Sequence, residues 1–209
     1  MKALEITVRE LRLQDLEDYL RFFDEVYEND PWLNSKTNPW WGICYCGFYD
    51  DTRTEQERNT APDAATKNRN MRAEHIQSRK AHGLLAYVDG KVVGWCNAGP
   101  RASYQNLRNL VQDRDPTEPV GSILCFVVAA SFRGKRIATT LLNAACDNFR
   151  RDGLRIAEGY PRAIPPHVNN PYNIPPEHLN YRGPLSTFLK AGFTIHRQLE
   201  RHAIVRKQL

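Results

Sequence analysis

Residues 122–161, SILCFVVAASFRGKRIATTLLNAACDNFRRDGLRIAEGYP, constrain the fold more than any other stretch of this chain. The first nine residues are apolar at both parities, as befits a strand covered on both faces in the middle of a sheet. From Arg136 to Arg151 the spacing changes. Ile137, Leu141, Leu142, Ala145 and Phe149 fall on one side of a helix, and Gly153 marks its end. LRIAEGYP then reads as a second strand. Strand, helix and strand in this order make a parallel crossover, expected to be right-handed. Arg133, Gly134, Lys135 and Arg136 lie at the join between the first strand and the helix. A helix N-terminus leaves backbone N–H groups unpaired and carries a partial positive charge. A turn with three cations there reads as an anion site suited to phosphate. Gly134 lets backbone come close to such a ligand. The pattern lacks the glycines of a Walker loop or a dinucleotide fingerprint.

The other elements follow from periodicity. LEITVREL alternates as a strand, and Gln14 to Glu28 places Leu16, Tyr19, Leu20, Phe23 and Val26 on one helical face. Residues 66–81 predict a polar helix with Asp63 near its cap. GLLAYVDGKVVGWCNAG predicts a hairpin turning at Asp89-Gly90. Residues 101–120 are polar and irregular, and 161–184 form a proline-rich loop. PLSTFLKAG is a short helix ended by Gly192. FTIHRQLE and HAIVRKQL are the last two strands. The expected architecture is an α/β domain over 1–209. A variable insertion at 29–82 and the loop at 161–184 depart from the regular alternation.

Charge and cysteine usage narrow the function. Residues 131–209 hold 13 Lys/Arg against 5 Asp/Glu, net +8, whereas residues 1–63 hold 7 against 14, net −7. One region favours an anion and the other tolerates a cation. The sequence pI near 9.0 invites a nucleic-acid reading. No RNP, zinc-finger or helix-turn-helix signature supports it, so no nucleic acid is expected as partner. No run approaches the roughly 20 apolar residues of a membrane span, and no secretory signal is read at the N-terminus. Cys44, Cys46, Cys96, Cys125 and Cys146 are odd in number and scattered. They read as reduced thiols of a cytoplasmic protein.

FVVAASFRGKRIATTLLNAACDNFRRDG resembles the acetyl-CoA-binding motif of the GNAT superfamily of N-acetyltransferases, a strand followed by Q/R-x-x-G-x-G/A and a helix. Arg133 takes the first position and Ala138 the last. Arg136 stands where the family has its middle glycine, and Gly134 stands where many members carry an additional one. PLSTFLKAGF is similar to the family's later L-Y-E-K-x-G-F helix, and the order of elements agrees. The resemblance implies a mixed, mostly antiparallel sheet with one splayed parallel pair and helices on both faces. It also implies acetyl-CoA as cosubstrate. Pantetheine would lie along the backbone of Phe126, Val127 and Val128, and the pyrophosphate on the amides of Arg133, Gly134, Lys135, Arg136, Ile137, Ala138 and Thr139.

Transfer to an amine also needs a proton acceptor. Glu158 is the candidate base, on a strand face shared with Ile156 and Tyr160. The family's usual acid, a Tyr on the later helix, aligns with Phe188, which donates no proton. Tyr160 and Tyr181 are the nearest phenols. The Asn that the family carries seven residues upstream falls on Tyr181, with Asn180 one residue off. Trp40, Trp41, Tyr45 and Asp50, in NPWWGICYCGFYDD, read either as aromatic packing or as a pocket for a cationic acceptor. Cys44 and Cys46 lack the other half of a closed zinc site, so no metal is expected. The expectation is an acetyltransferase acting on a small-molecule amine. It leaves room for a homodimer, for a protein acceptor and for a non-catalytic acyl-CoA sensor.

Overall fold

Val120 to Val128 forms β4, the fourth of seven strands in one sheet, in the order β1-β2-β3-β4-β5-β7-β6. The computed structural model describes residues 4–30, 44–59, 63–109, 111, 117–163 and 180–209. The other strands are β1 (Thr7–Glu10), β2 (Leu84–Val88), β3 (Lys91–Pro100), β5 (Ile156–Gly159), β6 (Thr194–Gln198) and β7 (Ala203–Gln208). Among the described residues the α-helices are α1 (Leu16–Asn29), α2 (Glu55–Asn59), α3 (Ala64–Gln77), α4 (Ile137–Arg151) and α5 (Leu185–Lys190). β4 and β5 pair in parallel. The β2–β3, β3–β4, β5–β7 and β6–β7 pairs are antiparallel. The fold is therefore the mixed, mostly antiparallel sheet expected.

The chain divides into two compact units. The first comprises Met1–Arg9, Gly83–Pro100 and Glu118–Leu209 and contains nearly all of the sheet. Its turns follow local chemistry. Asp89 and Gly90 both have positive φ, 49° and 76°, the backbone of a type I′ hairpin closed by the Val88–Lys91 pair. Gly153 (φ 80°) donates to the Arg150 carbonyl and Leu154 to that of Phe149, a Schellman stop for α4. Gly192 and Phe193 end α5 in the same way.

The core of this unit lies under α4. Ile137, Leu141, Leu142, Ala145 and Phe149 are buried with Leu84, Ala86, Cys96, Ile123, Ala157 and Val205. Two glycines set how closely α4 approaches the sheet. A Cβ on Gly94 would stand 2.6 Å from Ile137 Cγ2, and one on Gly121 would overlap the Phe149 ring. Phe188 of α5 is fully buried, edge-on to Phe193 and Phe126, and its ring fills the space a side chain at Gly159 would need.

The second unit comprises Glu10–His82 and Arg101–Thr117. The apolar face of α1 buries Tyr19, Leu20, Phe23 and Val26, with Phe22 and Tyr27 beside them. α3 is the polar helix expected, starting one residue after Asp63, which pairs with Lys67 at 3.1 Å. Arg72 on α3 is fully buried. Its Nη1 donates to Asp50 Oδ2 at 2.6 Å and its Nε to the Tyr19 hydroxyl at 3.0 Å. A guanidinium without water is tolerable because a charge and a hydroxyl face it.

Candidate active site

The site begins where β4 and β5 part. Their parallel pairing runs from Val120–Ile156 to Ile123–Gly159 and stops there. Beyond it, Arg162 bridges to Pro184 and His202 rather than to β4. On the other side of β4 the register with β3 shifts at Asn97/Ala98, so that Leu124 is an extra residue between Ile123 and Cys125. This bulge bends the strand at the point of separation. The opening thus starts at Leu124, two residues before the backbone of Phe126, Val127 and Val128 along which the resemblance lays pantetheine. A bulge leaves no mark in an all-apolar run. Within the opening, the Phe126 amide donates to the Tyr181 carbonyl at 2.6 Å, which brings residues 181–183 alongside β4.

After β4 the chain makes one turn at Ala130–Phe132 and enters the basic loop. Gly134 has φ 74°, and no atom comes within 4 Å of the Cβ position it lacks. Arg136 has φ 65° and is the N-cap of α4. The position that departs from the glycine pattern has kept the glycine backbone, at a cost of about 1–2 kcal/mol for an L side chain. The first helical bond runs from the Thr140 amide to the Arg136 carbonyl. The amides of Ile137, Ala138 and Thr139 therefore have no carbonyl to bond among the described residues. Gly134, Lys135, Arg136 and Thr139 are exposed, and Lys135 Nζ lies 5.1 Å from the centre of the Phe132 ring. Open backbone, free amides and cations fit a diphosphate.

Glu158 and Tyr160 occur together, as expected, and both are fully buried. The Tyr160 hydroxyl donates to Glu158 Oε1 at 2.5 Å and lies 2.7 Å from Ser122 Oγ on β4. Glu158 Oε2 accepts from Arg206 Nε on β7 at 2.6 Å. The same guanidinium donates through Nη1 and Nη2 to Glu118 at 2.9 and 3.1 Å. Sequence reasoning did not find Ser122, Arg206 or Glu118. The one signal was Arg206 following Ile204 at strand spacing, a cation beside a buried apolar residue. Tyr181 is half-buried, and the Arg182 guanidinium lies 5.2 Å from its ring centre.

The acceptor-side residues divide. Trp40 and Trp41 lie outside the described residues. Tyr45 is buried in the second unit. Its hydroxyl donates to Asp24 at 2.6 Å, its amide donates to the Tyr27 hydroxyl, and its carbonyl accepts from Tyr19. Burial and Asp24 push this phenol well above its ordinary range. Asp50 is paired with Arg72, and His75 Nδ1 lies 3.8 Å away. Burial alone would raise its carboxyl, but Arg72 and His75 outweigh that and hold it below the usual range. Burial and the neighbouring Cys46 push the Cys44 thiol up to about 12, which keeps it protonated near neutral pH. None of the five cysteines is in a disulfide. Among the described residues no helix is long and apolar enough to cross a membrane.

Comparison with known proteins agrees with this geometry. PaiA N-acetyltransferase from Thermoplasma acidophilum, solved in complex with coenzyme A, superposes over 99% of this chain and 100% of its own, with TM-score 0.51 and 16% identity. An N-acetyltransferase from Staphylococcus aureus Mu50 matches over 98% of both chains, with TM-score 0.51 and 15% identity. YncA from Salmonella typhimurium, solved with acetyl-CoA, matches over 100% of this chain and 95% of its own, with TM-score 0.50 and 14% identity. At such identities the likeness is one of fold. No curated protein matches the sequence. The profile of the Acetyltransferase (GNAT) family matches residues 47–161, more than half of the chain and all of the β4–α4–β5 crossover. The chain belongs to the GNAT family of acetyltransferases, enzymes that draw their acetyl group from acetyl-CoA.

Proposed function

We propose that this acetyltransferase transfers acetyl to the primary amine of a small molecule. The observation that carries the reading is an opened β4 edge together with a buried carboxylate–phenol pair at the end of β5. The loop from Arg133 to Thr139 would hold the diphosphate through free amides at the α4 N-terminus and the charges of Arg133, Lys135 and Arg136. The β4 backbone from Leu124 through Phe126, Val127 and Val128 would align the pantetheine arm. For the arm to pair with Phe126, the Tyr181 carbonyl has to release that amide. Acetyl-CoA supplies an activated thioester. The chain supplies position, backbone donors toward the carbonyl oxygen, and a place for the amine's proton. Glu158 is the group we assign to that proton, with Tyr160 beside it and Tyr181 as the second phenol near the opening. Phe188 is core, and its ring has no proton to give.

The test is release of free thiol from acetyl-CoA with n-butylamine, benzylamine, 1,4-diaminobutane and longer polyamines, against a lysine-containing peptide. Release with one of the small amines is expected. Release with the peptide alone overturns the small-molecule reading.

A further inference from the structure

Glu158 presents a problem for direct base catalysis. Its side chain is wholly buried and both carboxylate oxygens already accept hydrogen bonds, from Tyr160 and from Arg206. An amine cannot reach either oxygen without displacing one of these donors. The hydrogen-bond inventory offers a way round. A phenol has one proton, and that of Tyr160 is given to Glu158. The 2.7 Å contact between Tyr160 and Ser122 is then donated by the serine. The chain of donors runs Ser122, Tyr160, Glu158, all in one direction, and ends at a charge. Ser122 is as buried as Glu158, but its Oγ, unlike the carboxylate oxygens, keeps lone pairs for a further donor. It stands two residues before Leu124, about 7 Å along the strand from where β4 leaves β5.

We propose that Ser122, Tyr160 and Glu158 form the path by which the acceptor amine loses its proton, and that Arg206 is the positioning residue that fixes the far end of this path. The inference rests on amine acetylation as the activity. The step balances. The ammonium N–H bond breaks and its proton passes through water to Ser122 Oγ. The serine proton passes to Tyr160 Oη, and the tyrosine proton to Glu158 Oε1. Serine and tyrosine end as neutral hydroxyls, the amine as a neutral nucleophile and Glu158 as a carboxylic acid. Arg206 orients Glu158 by donating to Oε2, which leaves Oε1 toward Tyr160. Glu118 holds the other edge of the guanidinium, so Arg206 is anchored from both sides. Glu158 meets Tyr160, just past the end of β5, Arg206 on β7 and, through Arg206, Glu118 ahead of β4.

The experiment compares wild type with Ser122→Ala, Ser122→Thr, Tyr160→Phe, Arg206→Lys and Arg206→Met. Each is checked for folding by circular dichroism and assayed for thiol release with the best of the small amines from pH 7 to 10. At pH 7, Ser122→Ala, Tyr160→Phe and Arg206→Met should lower kcat by roughly 10²-fold. KM for acetyl-CoA should stay within about twofold of wild type. Ser122→Thr and Arg206→Lys should recover most of the rate. The losses should shrink toward pH 10, because about half of an alkylamine with a pKa of about 10 then arrives already neutral. A structural defect would not fade in this way. No thiol release by wild type with any amine overturns amine acetylation, and the relay with it. Release by wild type with no loss in Ser122→Ala and Tyr160→Phe, or with a loss independent of pH, overturns the relay and leaves the activity standing.

Discussion

Arg136 shows how a single residue can break a sequence pattern and keep its geometry. The backbone there is left-handed, φ 65°, and the side chain is a cation at the positive end of α4. Both features work against stability, the first through crowding at Cβ and the second through the helix dipole. A charge retained against both fits a polyanionic ligand. Arg136→Gly should therefore stabilise the free protein by about 1 kcal/mol and weaken its binding of coenzyme A. Urea denaturation and calorimetry read the two effects separately. A variant that loses stability would show that the Arg136 side chain makes a contact worth more than the strain. Arg133 and Lys135 stand at ordinary backbone angles and raise no such conflict.

At the scale of elements, the close seating of α4 on the sheet decides where its N-terminus points. Gly121 and Gly94 permit that seating, and the Phe149 ring takes the space a side chain at 121 would occupy. Gly121→Ala should cost about 1–3 kcal/mol through overpacking, measured by urea denaturation. The second unit has an electrostatic counterpart. Arg72 of α3 is enclosed against Asp50 and Tyr19. Arg72→Leu should destabilise by about 3–5 kcal/mol, because it leaves the Asp50 carboxylate buried without its partner. A melting temperature equal to that of wild type would contradict this. The low Asp50 pKa has a further consequence. Its contribution to stability is complete above the ordinary aspartate value of 3.8 and is lost as the pH falls below it.

For the whole molecule, the pH range of stability follows from groups that change protonation on folding. Burial, then the charges of Arg182, Arg162 and Arg201, lower His202 from 6.5 to about 4. Between these values the unfolded chain binds a proton that the folded chain refuses. Stability is thus complete above 6.5, declines as the pH falls toward 4, and changes no further from this group below it. After solvent screening of a partly exposed ring, the decline is on the order of 1–2 kcal/mol. Chemical denaturation at pH 7.5 and 4.5 should show this loss in wild type and lack it in His202→Gln. Equal losses in both proteins would place the effect elsewhere.

The sequence by itself determined the elements and their succession. The Asp89-Gly90 turn, the glycine stops at 153 and 192 and the apolar face of α4 depend on residues within a turn or two of one another. The basic loop at the start of α4 was legible for the same reason, and so was Glu158 beside Tyr160 on alternate positions of one strand. Only the tertiary structure decided what those side chains meet. Arg206 reaches Glu158 across 48 residues and Glu118 across 88. Asp50 and Tyr45, which composition alone left free to line a pocket, are committed to Arg72 and Asp24. The point where β4 opens, at Leu124, is set by a register shift against β3 and by where β5 stops pairing. Local periodicity records which face of an element is buried. The partner on that face is chosen by strand order and register, and these exist only once the sheet has formed.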